Sequence, residues 1–370
     1  MRIGIVSSYA LPHMGGLEIV AEQLFAGYRR RGHAVRWVTS RIPRETPARA
    51  DDRVRVRTFD AAYEHLGLPL PLWGREGLSE LHALTRWADV LQVHGPLYPT
   101  SLAAMVAARA AGTPAVITQH IQPSVYAQRT VRAVHRTAWR TMAAANLRMA
   151  DGIIAVNPPA ARYLESIQAD FVAIPNGTDT DAFHPVDAAG RRRAREQLGL
   201  PLDGPLLIFV GRLVERKGLE VVLDALPDLG SWRALVVGDG VRRDEIPDHP
   251  ALSWIPRLDP SQMPLAYQAA DAVLFPARGE GLPLVVQEGM ATGLPVLARD
   301  DEVFAGPLME EGLLLPIRDA RDVLGHLQTL DAPRRAALGA AGRAWAEARW
   351  SWEGAVDAHL GVLERAAGRR

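Results

Sequence analysis

A chain of 370 residues, 48% of them hydrophobic and 23% charged, has the composition of an ordinary globular protein of about two domains. The 42 basic side chains equal the 42 acidic ones in number, so the overall charge gives no reason to expect a nucleic-acid partner. The absence of cysteine excludes disulfides, a thiolate nucleophile and a thiolate-bound metal. Because the chain has neither a signal-like start nor a long apolar run, we expect a cytoplasmic protein that does not span a membrane.

The charges are distributed unevenly along the chain. Residues 1–180 carry 20 basic and 14 acidic side chains and the remainder carries 22 and 28, which gives net charges of +6 and −6. Of the 42 basic residues, 41 are arginine, and Lys217 is the single lysine. A sequence that uses arginine almost everywhere is expected to keep lysine where a compact ammonium group is required. Lys217 is therefore a candidate functional residue.

Strands and helices alternate through the first half of the chain. The hydrophobic pattern predicts strands at 2–7, 33–39, 54–59, 89–94, 114–120, 151–156 and 171–174, and helices at 17–31, 100–111 and 125–150. His94 and His120 both close strands at the edge where α/β sheets bind ligands. Their equivalent positions favour a functional role and a structural role about equally.

The predicted helix at 125–150 is basic along one side. Arg129, Arg132, Arg136 and Arg140 recur at helical spacing, and an apolar stripe follows another side. Two interpretations stay open. The arginines form either a solvated helix face or a surface that approaches an anionic membrane or an acidic acceptor. In the second case the protein would be peripheral at the inner face of the membrane.

After a polar segment at 178–204, interpreted as the connection between two domains, the alternation begins again. Strands are predicted at 205–210, 234–237, 252–255, 272–275 and 313–316, and helices at 219–226, 319–330, 334–348 and 352–366. Asp179-Thr-Asp181 has the spelling of a metal-binding Asp-x-Asp but lies in the connecting segment. We therefore predict no metal site there.

The segment from 272 to 296 has the order strand, glycine-rich loop, helix, strand, which is typical of a parallel βαβ crossover. Loop amides and a helix N-terminus at the end of a strand favour negative charge, so the backbone of 281–284 is a candidate anion cradle. Glu280 is predicted in the loop and Glu288 inside the helix. A carboxylate on an apolar helix face requires a partner, which ligand hydroxyl groups would supply. The alternative is a solvated helix glutamate.

Two series of alternating strands and helices predict two parallel, doubly wound α/β domains, with a ligand cleft between the carboxyl edges of their sheets. Six motifs along nearly the whole chain also resemble those of the retaining glycosyltransferases of family 4, or glycosyl transferases group 1. They are Gly15-Gly16-Leu-Glu18 through Arg31-Gly-His-Ala-Val35, Thr118-Gln-His120, Pro175-Asn-Gly177, Gly211-Arg212 to Lys217-Gly218, Gly238-Asp-Gly240, and Glu280-x7-Glu288.

This resemblance implies the GT-B fold of two facing Rossmann-like domains. Residues 1–183 would form an acceptor-binding N-terminal domain and 184–351 a nucleotide-sugar-binding C-terminal domain. Residues 352–370 would form a C-terminal helix that packs back on the N-terminal domain.

The resemblance also implies roles for individual residues. Arg212 and Lys217 would clamp the donor diphosphate, and Glu288 would bind the ribose hydroxyls. Glu280 would face the sugar and the β-phosphate. The implied catalytic residues are Glu280, His120, Arg212 and Lys217. The implied donor site further contains Gly16, Gly211, Gly238, Arg257, Gly281, Leu282, Pro283, Leu284 and Glu288, and the acceptor side contains Gly15, His94 and Asn176.

The implied reaction moves a hexose-type sugar from a UDP- or GDP-sugar to a hydroxyl group of a glycan, a glycolipid or a small metabolite, with retention of anomeric configuration. It requires no metal or other cofactor, because cations and loop amides stabilise the leaving diphosphate. Two alternatives stay open: a nucleotide-sugar 2-epimerase on the same fold, and a non-catalytic nucleotide-sugar-binding partner. The sequence does not predict the oligomeric state.

Overall fold

The computed structural model describes residues 1–12, 16–42, 47–59, 71–120, 136–280, 283–300, 304 and 307–368. The chain divides into two compact units. Unit 1 consists of Met1–Asn176 together with Trp352–Arg370, and unit 2 consists of Gly177–Ser351. Among the described residues, no helix has both the length and the apolar character that crossing a membrane requires.

The first part of the chain alternates strands with helices, as the hydrophobic pattern predicts. In chain order the elements are β1 (Arg2–Val6), α1 (Gly16–Arg30), β2 (Ala34–Ser40), β3 (Arg49–Ala50), β4 (Arg53–Val56), β5 (Thr58–Phe59), β6 (Leu72–Trp73), α2 (Arg75–Trp87), β7 (Val90–His94), α3 (Pro99–Ala111), β8 (Ala115–Gln119), α4 (Ala144–Met149), β9 (Gly152–Ala155), α5 (Pro158–Ser166) and β10 (Val172–Ala173). A π-helical turn, Trp139–Ala143, leads into α4.

The second part has the same alternation. Its elements are α6 (Ala188–Gln197), β11 (Leu206–Val210), α7 (Leu219–Ala225), β12 (Arg233–Val237), β13 (Leu252–Ile255), α8 (Met263–Ala269), β14 (Ala272–Phe275), α9 (Leu284–Ala291), β15 (Val296–Arg299), α10 (Pro307–Glu310), β16 (Leu314–Ile317), α11 (Ala320–Thr329) and α12 (Ala332–Arg349). The last helix, α13 (Trp352–Ala367), belongs to unit 1.

The sheet of unit 1 has the strand order β10-β9-β8-β7-β1-β2-β4-β3. Its strands are parallel except for β3, a two-residue edge strand that runs antiparallel to β4. Apolar side chains of α1 and α13 cover one face, and those of α2 and α3 cover the other. Arg31, at the end of α1, pairs with Glu353 of α13 (Nη2 to Oε2, 2.7 Å) and thereby joins the two helices of the first face.

The sheet of unit 2 is parallel throughout, with the order β13-β12-β11-β14-β15-β16. Successive residues of each strand enter opposite clusters: Ile208 packs on the side of α6, α8, α9 and α12, whereas Leu207 packs on the side of α7 and α11. Both faces of a parallel sheet are thus buried, which explains why its strands are continuously apolar. The predicted class of two doubly wound α/β domains is confirmed.

One interpretation of the sequence was incomplete, because the segment 178–204 contains α6 in addition to connecting chain. The carboxylate of Asp187 begins this helix by accepting a hydrogen bond from the amide of Gly190 (2.7 Å). The helix contacts the core through Ala194 and through Arg195, whose guanidinium pairs with buried Asp271 (2.7 Å). A helix anchored by a buried ion pair lacks the apolar stripe by which a sequence pattern reveals a helix.

Candidate functional site

In unit 2 the strand order reverses between β11 and its neighbour β14. The loops that follow these strands, 211–218 and the described residues 276–280, therefore leave the same edge of the sheet side by side. In open α/β sheets this switch point is where ligands bind. The amide of Arg278 donates a hydrogen bond to the carbonyl oxygen of Arg216 (2.9 Å), which ties the two loops together.

A carboxylate and two cations meet between these loops. Glu280 Oε1 lies 3.0 Å from Lys217 Nζ and 3.0 Å from Arg216 Nη1. The Lys217 side chain is 14% exposed, whereas that of Arg216 is 50% exposed. Lys217 and Glu280, both predicted site residues, are thus brought together. Arg216 is a residue that the sequence analysis missed, and its only signal was its position beside the single lysine.

Burial governs the titration of Lys217. It lowers the pKa of the ammonium group, while the negative charge of Glu280 raises it. The positive charges of Arg216 and Arg212 lower the pKa further. Three cations, Lys217, Arg216 and Arg212, thus lie near one another, and Glu280 is the carboxylate that contacts the first two. Arg212 is exposed. This excess of positive charge can hold an anion.

Two glycines let the neighbouring loops approach closely. A Cβ atom at Gly238, where φ is +145°, would lie 1.9 Å from the carbonyl oxygen of Gly211. A Cβ atom at Gly218, where φ is +77°, would lie 2.7 Å from the carbonyl oxygen of Pro276. No other residue type fits either position without moving the backbone. The loop that carries Lys217 is thus fixed against the ends of β12 and β14.

Helix α9 begins immediately after the Glu280 loop. Its N-cap residue, Pro283, has no side chain that accepts hydrogen bonds, and its first turn carries no acidic residue. Neither the N-cap nor the first turn therefore supplies a carboxylate to the amide groups at the start of α9, from Leu284 onward, which favours an anion at this end. Gly281 and Leu282, the other members of the predicted cradle, lie outside the described residues.

Glu288 lies inside α9, as predicted, and faces α8. The hydroxyl of Tyr267, which is fully buried, donates a hydrogen bond to its Oε2 atom (2.7 Å). Burial raises the pKa of Glu288 to about 7, and the hydrogen bond from Tyr267 opposes the shift. Tyr267 comes from another helix, 21 residues earlier in the chain, so no local motif could have identified it.

In unit 1, His94 is the last residue of β7 and His120 directly follows β8, and the two side chains are in contact. His94 Nδ1 lies 2.9 Å from His120 Nε2, and the two rings stack with their centroids 5.1 Å apart. Burial lowers the pKa of His94 well below its ordinary value and that of His120 to about 3. Both imidazoles are therefore neutral near pH 7. His94 Nε2 has no hydrogen-bond partner among the described residues.

The other predicted site residues are more dispersed. Gly16 begins α1 and is exposed, whereas Asn176 is buried at the end of the first segment of unit 1. Arg257 is exposed after β13 and forms no ion pair within the described part of the chain. Gly15 lies outside the described residues.

The basic segment at 125–150 lies only partly within the described residues, whereas Asp179-Thr-Asp181 is fully described. Arg129 and Arg132 lie outside the described residues, while Arg136 and Arg140 are exposed. The carboxylate of Asp179 accepts hydrogen bonds from the amides of the second and third residues after it and closes a turn. No cluster of three or more metal-ligating side chains occurs in the described ranges. Metal independence stays a prediction.

Family models match both halves of the chain. The model "Glycosyltransferase Family 4" matches residues 14–182, and "Glycosyl transferases group 1" matches residues 190–319. A D-inositol 3-phosphate glycosyltransferase from Xylanimonas cellulosilytica is 34% identical over 53% of this chain and 52% of its own length, so that match spans about half of the relative. A phosphatidyl-myo-inositol mannosyltransferase from Mycobacterium tuberculosis is 29% identical over 90% of this chain and 84% of its own.

Solved structures share the fold over the full length. A sucrose-phosphate synthase from Thermosynechococcus elongatus has a TM-score of 0.75 at 22% identity, covering 98% of both chains. The HepE protein of Anabaena, in complex with UDP and glucose, has a TM-score of 0.75 at 18% identity, covering 99% of this chain and 100% of its own. At such identities the similarity is one of fold.

Proposed function

Because this chain belongs to the glycosyltransferases of family 4 and group 1, we propose that it transfers a hexose-type sugar from a nucleoside diphosphate to an acceptor hydroxyl, with retention of anomeric configuration. The family and the GT-B fold class predicted from the sequence are confirmed. The observation that carries the finer proposal is the meeting of Lys217, Arg216 and Glu280 at the switch point of the unit 2 sheet.

The donor diphosphate is proposed to bind Lys217, Arg216 and Arg212. The forked guanidinium groups match pairs of phosphate oxygens, and the ammonium group of Lys217 supplies a compact charge. Lys217 is the buried member of the set, and so its attraction to phosphate is screened least by water. The uncapped start of α9 would add backbone N–H groups.

Glu280 is proposed to act in the step that breaks the bond between the donor sugar and its diphosphate. In this structure its carboxylate is the common partner of Lys217 and Arg216. As the bond from the anomeric carbon to the β-phosphate oxygen breaks, negative charge grows on that oxygen, and the two cations stabilise it. The acceptor oxygen bonds to the anomeric carbon on the same face, and its proton passes to the departing phosphate oxygen. No protein nucleophile takes part.

Glu288 is proposed to bind the two ribose hydroxyls of the donor. Its carboxylate can accept a hydrogen bond from each of them, while Tyr267 holds one of its oxygens in place. This role requires the ionised carboxylate, because a protonated one has fewer acceptor positions.

Donor binding should consequently depend on pH. Since burial raises the pKa of Glu288 to about 7, we expect donor affinity to fall as the pH falls through 7, by about tenfold one unit below it. Calorimetric titration with an intact sugar nucleotide, whose phosphates do not titrate in this range, measures the effect. The Glu288→Gln variant should bind more weakly at every pH and lose this dependence. A parent affinity that is constant from about pH 6 to 8 would contradict the proposed role.

Unit 1 is proposed to bind the acceptor and to supply His120 to the donor sugar. A neutral imidazole can either donate or accept a hydrogen bond, which suits a sugar hydroxyl. His94, Asn176 and Gly15 are proposed on the acceptor side. Two relatives are named for inositol-containing acceptors, and so inositol phosphates and phosphatidylinositol are the first to offer. Exposed Arg136 and Arg140 would suit an anionic acceptor or membrane surface.

A panel of nucleoside diphosphate sugars tests the proposal directly. We expect one UDP- or GDP-sugar to raise the melting temperature of the full chain and then to transfer its sugar to an acceptor in the presence of excess chelator. Without an acceptor, nucleotide should not be released. Release with donor alone would favour the 2-epimerase, whereas binding without turnover for any acceptor would favour a non-catalytic partner. Activity that chelator abolishes and magnesium or manganese restores would show that the proposed metal independence is wrong.

A further inference from the structure

A seam of polar side chains crosses the core of unit 1 beneath α13. Gln92, His94 and Thr118 lie on adjacent strands, and all three are fully buried. Gln92 and His94 are two residues apart on β7 and so share one face of the sheet. The remaining side chains of this face, between α1 and α13, are largely apolar. Polar groups in such surroundings are costly unless each is hydrogen-bonded.

The carboxamide of Gln92 lies at the centre of the seam, and both of its polar atoms are hydrogen-bonded. Its Oε1 atom accepts from the hydroxyl of Tyr28 on α1 (2.7 Å). Its Nε2 atom donates to Thr118 Oγ1 (2.8 Å) and lies 3.0 Å from Nδ1 of His359 on α13. Because an amide nitrogen only donates, Nδ1 of His359 is the acceptor and its proton is on Nε2. His359 of the last helix thus completes the set of hydrogen bonds made by the Gln92 carboxamide.

Thr118 connects this group to His94 and His120. It is the register partner of His94, and its carbonyl oxygen accepts from the amide of Gly95 (2.9 Å). Its hydroxyl is held by Gln92, and His120 follows two residues later. The side chain of Gln92 therefore holds Thr118, which pairs with His94 in the sheet and lies two positions before His120.

The three imidazoles also influence one another electrostatically. After burial, the charges of His120 and His359 are the causes that lower the pKa of His94. A charge on His120 likewise lowers the pKa of His359, which burial brings to about 3. Gln92, which contacts His359, and its hydrogen-bond partners Tyr28 and Thr118 are all uncharged. The pKa of His94 therefore depends on both of the other imidazoles.

We propose that His359 is a positioning residue of the active site, which holds Gln92 from the C-terminal helix and, through Thr118, fixes the contact between His94 and His120. This inference rests on the proposed function, in which His120 meets the donor sugar. A leucine at position 359 would fit an apolar helix face equally well. It would, however, leave one N–H of the Gln92 carboxamide without its acceptor.

The test compares three variants of the full chain. His359→Leu removes the acceptor, His359→Gln retains an amide oxygen that can accept from Gln92, and Leu360→Ala destabilises the same helix without touching the seam. The first readout is the imidazole ¹⁵N resonances of His94 and His120, assigned with single-histidine variants. The second is kcat and KM for the donor.

We expect His359→Leu to shift the His94 and His120 resonances and to lower kcat roughly three- to tenfold with little change in KM, the loss that corresponds to one hydrogen bond. His359→Gln should restore most of both, and Leu360→Ala should leave the resonances in place. If His359→Leu does not fold, Thr118→Val, which breaks the same chain of hydrogen bonds at its other end, should give the same shifts.

Unchanged His94 and His120 resonances in a folded His359→Leu or Thr118→Val variant would overturn the inference. Equal shifts in Leu360→Ala, or no recovery in His359→Gln, would do the same, because His359 would then act through packing alone. Shifted resonances with unchanged turnover would leave the positioning role standing. That result would instead contradict the proposed role of His120 at the donor sugar.

Discussion

Replacing Lys217 with methionine is expected to lower kcat/KM for the donor by about a hundred- to a thousandfold, which is about 3 to 4 kcal/mol of transition-state stabilisation. Methionine matches the length of the lysine stem but carries no charge. Lys217 is the buried cation of the site, and its ammonium group lies 3.0 Å from Glu280 at the switch point of the sheet. Arg216 and Arg212 are more exposed, so water screens their charges more strongly.

Two further variants sharpen this prediction. Arg192→Met removes an exposed cation of α6 that pairs with Glu196 of the same helix, and it should change kcat/KM by less than about twofold. Lys217→Arg keeps the positive charge but should retain little of the parental kcat/KM. The stem of Lys217 packs beside Gly211, and its ammonium group lies 5.8 Å from the centre of the Phe275 ring, where a planar guanidinium does not fit equivalently. Parental kcat/KM in Lys217→Met would contradict the proposed diphosphate site.

The second large effect distinguishes the two glutamates. Glu288→Ala should weaken donor binding by roughly 1.5 to 3 kcal/mol, about ten- to a hundredfold, because two hydroxyl groups lose a charged acceptor. Glu280→Ala should instead lower turnover more than it raises KM, as expected for a group whose interactions are strongest in the transition state. Without Glu280, Lys217 and Arg216 lose their common partner, and so the bare nucleoside diphosphate should bind at least as tightly as in the parent.

Steady-state kinetics with varied donor and calorimetric titration of the nucleoside diphosphate separate these outcomes. Glu347→Ala, an exposed acid of α12 that pairs with Arg343, is the matched control and should resemble the parent. If Glu288→Ala binds the nucleotide as tightly as the parent, or if Glu280→Ala turns over normally, the two roles are assigned wrongly.

The fold could be predicted from the sequence because the apolar pattern of each strand reflects whether one or both of its faces are buried. Leu206–Val210 and Ala272–Phe275 are uninterrupted apolar runs, which only a sheet covered on both faces accommodates. The helices α2, α5 and α8 were not predicted. Each has only three or four buried residues, so its apolar pattern is short and gives a weak signal.

The site could be predicted only where a residue and its sequence neighbours together indicate a chemical role. Lys217 is conspicuous as the single lysine, and Glu280 follows a strand in a glycine-rich loop. Tyr267 and His359 could not be identified, because each acquires its partner only when distant helices pack against the sheets. His94 and His120 were predicted at equivalent strand ends, whereas their contact and neutral state depend on the fold and on burial.

The most direct test of the central claim is the anomeric configuration of the product. The full chain is incubated with an α-linked sugar nucleotide and an accepted hydroxyl compound, and proton NMR follows the anomeric signals from the first turnovers. We expect an α-linked product formed in step with free nucleoside diphosphate, and a reaction that Lys217→Met slows by about a hundredfold or more. A β-linked product, or nucleotide release that does not require the acceptor, would contradict it.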